Sequence, residues 1–409
     1  MTELVLRGGF NDHRAIDELL NDPLSLPPRS ARHIRRLVVD STAVVHTRQF
    51  AQTALDTGTQ LLIDPQTAFL TSQKPVDDSW ARLPFAQAEA LDVHLLRDPA
   101  VREHLIDEVV RFQIDHGATA VIPPYLHLED DSGVAADVQR QLIKETVSYL
   151  HTNLGADFNI FPIVSIDRRA VLLDVNLWQA GLGRLLRTAV KAANGQPFGL
   201  ALSATTRPSA TALYKNSRIW RRASGIGPFV AWHAGDVGLL ATAMGARGYE
   251  SGMCAGERCN VHSQQRNRAP GNNGHGPRYT GVYVDSIGHS LARSAVETLS
   301  HARGTVQGDL GCMNPQCCPS GFATLLGPGR RQHAVRSRIA ELQALDSISA
   351  RRWRLHHIRA RAANAAKSAA RIRRAADQQG ITVGAYVNEH LAMEMVATGL
   401  QETARMAIA

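Results

Sequence analysis

Phe229-Val-Ala-Trp-His233-Ala-Gly-Asp-Val-Gly-Leu-Leu-Ala-Thr-Ala-Met-Gly-Ala-Arg-Gly248-Tyr-Glu250 holds one unit of an alternating pattern. A short apolar run ends in a polar residue, a small-residue stretch follows, and a second run ends in a carboxylate. The alternation extends in both directions. Strand candidates are Leu37–Asp40, Thr59–Asp64, Thr119–Tyr125, Phe158–Ser165, Phe198–Ser203 and Val282–Asp285. Amphipathic stretches such as Val101–His116 and Ala136–Asn153 lie between them, with apolar residues at three- and four-residue spacing. About eight strand–helix units with buried strands predict a parallel α/β protein, a (β/α)8 TIM-like barrel. An open doubly wound sheet would want a glycine-rich phosphate loop after the first strand, and none follows it. In a barrel the strand ends share one mouth. Asp40, Asp64, Tyr125 with His127, Ser203 to Arg207, His233 with Asp236, Glu250 and Asp285 would meet there, so an enzyme is expected.

Around this barrel, residues 1–36 read as an irregular leader, and 259–279 as a long polar, glycine-rich loop within the barrel segment 37–308. Residues 309–409 read as a cysteine cluster and a basic helical tail that completes the barrel, with helices over 331–345, 349–379 and 383–398 and a stop at Gly380. No apolar run approaches the roughly 18 residues of a membrane span. The N-terminus has no basic segment leading into an apolar one, which argues against secretion. Five cysteines in 409 residues do not suggest a disulfide framework, so reduced thiols in a cytoplasm are expected.

The net charge of +8 is concentrated. Residues 330–374 carry thirteen Lys/Arg against Glu341 and Asp346, a local net of +11, which leaves −3 for the remainder. A near-neutral body with a basic appendage points to nucleic acid, because each neutralised phosphate releases a counterion. Arg351, Arg352, Arg354, Arg359, Arg361, Arg371, Arg373 and Arg374 would track phosphates along the helix. A solvated helix face is the bland alternative. Beside this tail, Cys312, Cys317 and Cys318 offer three soft ligands, with Pro315 and Pro319 to turn the chain, and His356 or His357 could supply a fourth. Cys254 and Cys259 are a second, looser pair.

The stretch Asp309–Cys318, a helix, and then Leu355-His356-His357-Ile358 resembles the terminal zinc subdomain of the tRNA-guanine transglycosylase superfamily, which includes paralogues that insert 7-deazaguanines into DNA. Leu62-Ile-Asp64-Pro-Gln66-Thr-Ala-Phe69 is similar to that family's Asp-Ser-Gly-Gly-Phe motif, although Ser-Gly-Gly is not reproduced. Ala231–Glu250 is similar to its Gly-Val-Gly-Thr-x-x-Asp-Leu helix and following strand, with Met253 at the place of the nucleophile and Glu250 the nearest carboxylate. The resemblance implies exchange of a purine for a 7-deazaguanine-type base in DNA or tRNA, by a pentosyltransferase with structural Zn2+ on Cys312, Cys317, Cys318 and His356. It implies Asp64 as the base-side acid and Glu250 or Asp285 as the nucleophile, with Gln66, Tyr125, Arg207 and His233 around the substrate. A homodimer or a partner subunit would fit it as well. From the residues alone, Asp64 also suits a helix N-cap, and Glu250 an ion pair with Arg247 or Arg258. Two other readings stay open: a barrel that binds nucleic acid after losing its nucleophile, and an unrelated barrel enzyme using His127 or His233 on a small substrate.

Overall fold

A computed structural model describes all residues except 11, 23–25, 72–77, 88, 130–132, 156–157, 168–169, 172–180, 204–208, 254–280, 303–305, 385–386 and 407–409. Ten parallel segments make up the main sheet. They are β1 (Glu3–Gly8), β2 (Arg36–Asp40), β3 (Gln60–Asp64), β4 (Ala120–Val121), β5 (His127–Leu128), β6 (Asn159–Ile160), β7 (Ile163–Ile166), β8 (Phe198–Leu202), β9 (Phe229–Trp232) and β10 (Gly248–Gly252). Residues 120–128 and 159–166 are each one run broken midway. β4 pairs with β6, and further along β5 pairs with β7. The ladder from β6 through β4, β3, β2, β1, β10, β9, β8 and β7 to β5 therefore returns to the two runs where it began. The sheet is curled into a ring of eight runs, the α/β architecture expected from the alternation.

Strand residues alternate between two cores. Leu4, Leu6, Leu37, Val39, Leu61 and Ile63 pack outward in the larger apolar cluster, which the surrounding helices share. Val5, Val38, Leu62, Ile163, Val230 and Trp232 belong to a separate interior cluster. Buried charge brackets this interior. At the N-terminal ends, Arg36 donates to Glu3 at 2.6 Å and to Gln60 at 2.7 Å, and its guanidinium lies 5.5 Å from the Phe161 ring centre. Phe161 lies 5.2 Å from Trp232, and Arg7 at the other end lies 5.4 Å from Trp232. A cation–aromatic–aromatic–cation column thus runs through the barrel.

β1 corrects the expected leader. It lies between β10 and β2, with Val5 opposite both Glu250 and Arg36. Only Leu4, Val5 and Leu6 are apolar in it, because Glu3 and Arg7 are buried by pairing, so no apolar run marked it. Helix α1 (His13–Asn21) follows and buries Ala15, Ile16 and Leu19 against α2 (Gln49–Thr57). The barrel's larger helices continue with α3 (Pro99–Asp115), α4 (Val134–Asn153), α5 (Gly183–Ala192), α6 (Ala210–Ile226) and α7 (Gly238–Ala243).

The extension begins before residue 309. An antiparallel hairpin, β11 (Gly281–Val284) and β12 (His289–Ala292), packs with α8 (Arg293–Ser300), α9 (Val306–Leu310) and α10 (Phe322–Leu326) around Cys317 and Cys318. α11 (Arg330–Asp346) packs on the barrel's cluster through Val335, Ile339 and Leu342, and α12 (Arg351–Gln378) bridges the two cores. Leu355, Ile358 and Ala362 of α12 belong to the barrel's cluster, and Ala369, Ile372 and Ala376 to the cysteine cluster. α12 stops at Gly380 as expected. The glycine takes φ 66°, and Ile381 N–H bonds Ala376 O while Gly380 N–H bonds Asp377 O, a Schellman termination. α13 (Val387–Met406) folds back along α12.

Candidate functional site

The C-terminal strand ends gather three carboxylates on one guanidinium. Arg7 Nη2 donates to Asp64 Oδ2 at 2.9 Å, and the same side chain bonds Asp40 and Glu250. Asp64 accepts two further bonds at Oδ1, from the Tyr125 hydroxyl at 2.8 Å and the Gln66 N–H at 2.9 Å. The His233 N–H donates to Glu250 Oε2 at 3.1 Å. Gln66 and His233 take φ 54° and 51°, left-handed values uncommon for such residues, and both aim their amides at a carboxylate. The His233 ring stands between the acids, Nε2 3.9 Å from Asp64 and Nδ1 3.5 Å from Glu250. Asp64 and Glu250 side chains are fully buried, whereas Asp40 is 28% exposed.

Burial works against Asp64's charge, but the Arg7 guanidinium, together with the Gln66 N–H bond, outweighs it and holds its carboxyl below the usual range. Burial lowers the His233 pKa, which keeps the ring neutral. Burial and the adjacent Asp64 charge push Tyr125 well up, so its hydroxyl stays a donor. A second polar group sits at the same strand ends: His127 Nδ1 lies 2.8 Å from Ser165 Oγ and Nε2 3.2 Å from Asp167 Oδ2.

Asp64, Tyr125, His233 and Glu250 are therefore together, as the strand-end reading expected, and the Gln66 backbone lies against Asp64. Glu250 takes Arg7 as its partner, a residue the sequence reading passed over inside the supposed leader. Asp285 does not join them. It lies on the hairpin, with Oδ1 3.5 Å from His333 Nε2. The mouth carboxylates come from β2, β3 and β10, while Asp285 follows β11, which pairs only with β12 among the described residues. Arg207, Cys254, Cys259 and loop 259–279 lie outside the described residues.

The second centre is formed by Cys312, Cys317, Cys318 and His333, whose ligand atoms all lie within 4.8 Å of one another. Asn314 builds the turn that brings adjacent cysteines together: its carbonyl accepts from the Cys317 and Cys318 amides at 3.1 and 2.9 Å. His333 Nδ1 lies 3.3 and 3.4 Å from the two sulfurs, which are 4.0 Å apart. Four-coordinate zinc with bonds of about 2.3 Å to sulfur sets sulfurs about 3.8 Å apart, so the spacing suits such an ion. His333 Nε2 bonds the Tyr283 carbonyl at 3.1 Å, which leaves Nδ1 to face the thiols. The Cys318 hydrogen bond, with help from His333, brings the Cys317 thiol down to about 4. His356, the expected fourth ligand, is elsewhere. It sits on the barrel-packed half of α12, 5.8 Å from the Trp353 ring and 3.5 Å from Arg359.

The basic helix also divides. Arg361 turns inward onto Glu341, Arg371 bonds Asp309 at 2.6 and 2.7 Å, and Arg354 donates to the Ile348 carbonyl at 2.7 Å. Arg351 reaches Met244 Sδ, and Arg359 lies beside His356. Arg352, Lys367, Arg373 and Arg374 are exposed. No helix among the described residues is long and apolar enough to cross a membrane.

Fold and site together define an α/β protein with a curled parallel sheet, a buried acid–arginine cluster at the strand ends and a Cys3His group in its extension. No family model matches the chain, and no curated protein does. Among solved structures, it is similar to the carboxyl transferase domain of Rhizobium etli pyruvate carboxylase with 3-hydroxypyruvate, at 12% identity and TM-score 0.34, over 98% of this chain and 61% of that one. The same domain with pyruvate gives 11% and 0.32, over 98% and 62%. The complete multifunctional enzyme gives 13% and 0.32, over 97% and 36%. The chain thus spans about three fifths of the length of the matched domains, and a likeness of this degree carries no argument about activity.

Proposed function

We propose that the protein is a transglycosylase-like enzyme that exchanges a purine in DNA or tRNA for a 7-deazaguanine-type base. One observation supports this reading above the others: Asp64 and Glu250, from strands far apart in sequence, share a single guanidinium at the strand ends. Glu250 attacks the anomeric carbon; a C–O bond forms, the glycosidic C–N bond breaks, and its electron pair leaves with the base. The incoming base then displaces the carboxylate. One proton goes to the departing base and one comes from the arriving base, so the exchange is proton-neutral. His233, neutral and within reach of both acids, suits that traffic. Asp64 holds the base. When Glu250 is esterified, Asp40 and Asp64 still neutralise Arg7, so the cluster tolerates the intermediate.

In this proposal the Cys3His group holds a structural zinc, which would tie the extension together, and Arg352, Arg373 and Arg374 meet phosphates. Base release from DNA and from tRNA tests the reading with wild type, Asp64→Asn and Glu250→Gln. Each variant should lose at least about a hundredfold. Equal rates in all three proteins would refute the assignment. Binding without base release by the wild type would favour the nucleic-acid-binding alternative. The His127–Ser165–Asp167 group favours a second reading, a barrel enzyme acting on a small substrate.

A further inference from the structure

We infer that Arg338 is a positioning residue that ties the cysteine centre to the strand end carrying Glu250. His333 and Arg338 lie on the same helix, α11, five residues apart. Both also touch Tyr283 of the hairpin: His333 Nε2 bonds its carbonyl, and the Arg338 guanidinium lies 4.6 Å from its ring centre. From that place Arg338 Nη1 donates to the Gly252 carbonyl at 2.5 Å, and the side chain is buried at 3% exposure. Gly252 ends β10, two residues beyond Glu250, and stands opposite Arg7 in the register with β1.

A buried carbonyl at a strand end needs a donor, and a charged donor gives a strong, directional bond. The only side chain bonded to the Gly252 carbonyl from the extension, among the described residues, is Arg338. Its helix is set at one end by His333 among the thiols, so ligation at His333 fixes where Arg338 begins. Tyr283 is held from its other side too, since its hydroxyl donates to Glu341 at 3.3 Å and Arg361 bonds that carboxylate. The linkage thus runs from the Cys3His group through α11 to the backbone beneath Glu250. Its catalytic consequence rests on the reading of Glu250 as the reactive carboxylate; the mechanical tie does not.

Hydrogen exchange separates the two. Amides of residues 248–252 and of His233 are followed in the zinc-loaded protein, the chelator-stripped protein, Arg338→Met and Arg338→Lys. Arg338→Met should keep one zinc per chain and unchanged protection in Ile163–Ile166, yet exchange roughly tenfold to a hundredfold faster at 248–252. Stripped wild type should accelerate at the same amides, and Arg338→Lys should recover part of the protection. Wild-type exchange at 248–252 in both Arg338 variants overturns the tie, as does acceleration spread evenly over the barrel. If base exchange is the reaction, Arg338→Met lowers kcat with little change in KM. Faster exchange without any base-exchange activity would keep the tie and reject that function.

Discussion

Replacing Arg7 by methionine leaves two fully buried carboxylates, Asp64 and Glu250, without their shared cation. At the observed 2.9 Å, and an effective dielectric of about 20, the Arg7–Asp64 attraction alone is about 6 kcal/mol before desolvation. Measured losses on breaking buried pairs run to about 3–5 kcal/mol, and two stranded acids place this variant toward the upper end. The sign with pH follows from Asp64. In the wild type its folded pKa lies below the ordinary 3.8, so its stabilisation is complete above that value and lost as pH falls through the folded pKa. Without Arg7 the main opposition to burial is gone and the Gln66 N–H bond remains, so that pKa rises and the acid becomes protonated at milder pH. The stability gap should therefore be widest near neutral pH and close on acidification. Denaturant unfolding of wild type and Arg7→Met from neutral to acid pH measures it. The combination Arg7→Met, Asp64→Asn, Glu250→Gln should recover much of the loss near neutrality, because only the partly exposed Asp40 charge then lacks its cation. An Arg7→Met protein within about 1 kcal/mol of wild type near neutral pH, or a gap that widens with acid, would refute the reasoning.

Metal analysis should find one zinc per chain, lost in His333→Gln and Cys317→Ser and retained in His356→Gln. Arg373→Glu with Arg374→Glu should reduce the salt dependence of duplex binding by about two units of log–log slope, measured by titration at several salt concentrations. Arg361→Gln should instead destabilise the fold, because Arg361 faces Glu341 rather than solvent. Burial holds the His233 pKa below the ordinary 6.5, so its contribution to stability is complete above 6.5 and declines as pH falls from there toward the folded pKa. His233→Asn, which tolerates a left-handed backbone, should flatten that slope in unfolding midpoints taken across the window.

The strand ends were legible because each consists of an apolar run that stops at a polar residue. That pattern alone places Asp64, Tyr125, His233 and Glu250 at one end of the barrel. β1 was not legible because two of its three inward residues are Glu3 and Arg7, buried through partners on other strands, and a linear pattern does not register such pairing. His333 was hidden for a related reason. It sits in the basic run 330–338, where a charge count suggests phosphate contact and masks a ring turned toward sulfur. His356 looked better placed in sequence, but α12 spans both cores and holds it in the half packed on the barrel. The same helix explains the arginines: charge totals cannot tell Arg361, turned inward, from Arg373 and Arg374 at the surface.

The guanidiniums at the two ends of the barrel also act as a check on assembly. A one-residue slip of β1 would turn Leu4 and Leu6 into the ring and swing Glu3 and Arg7 outward beneath the helices. Arg36 would lose its carboxylate at one end in the same motion that deprived Asp40, Asp64 and Glu250 of their cation at the other. Misaligned closure is thus penalised twice, at opposite rims, by a single error in the first strand to leave the N-terminus. The correct alignment is marked by charge as well as by the packing of the apolar interior.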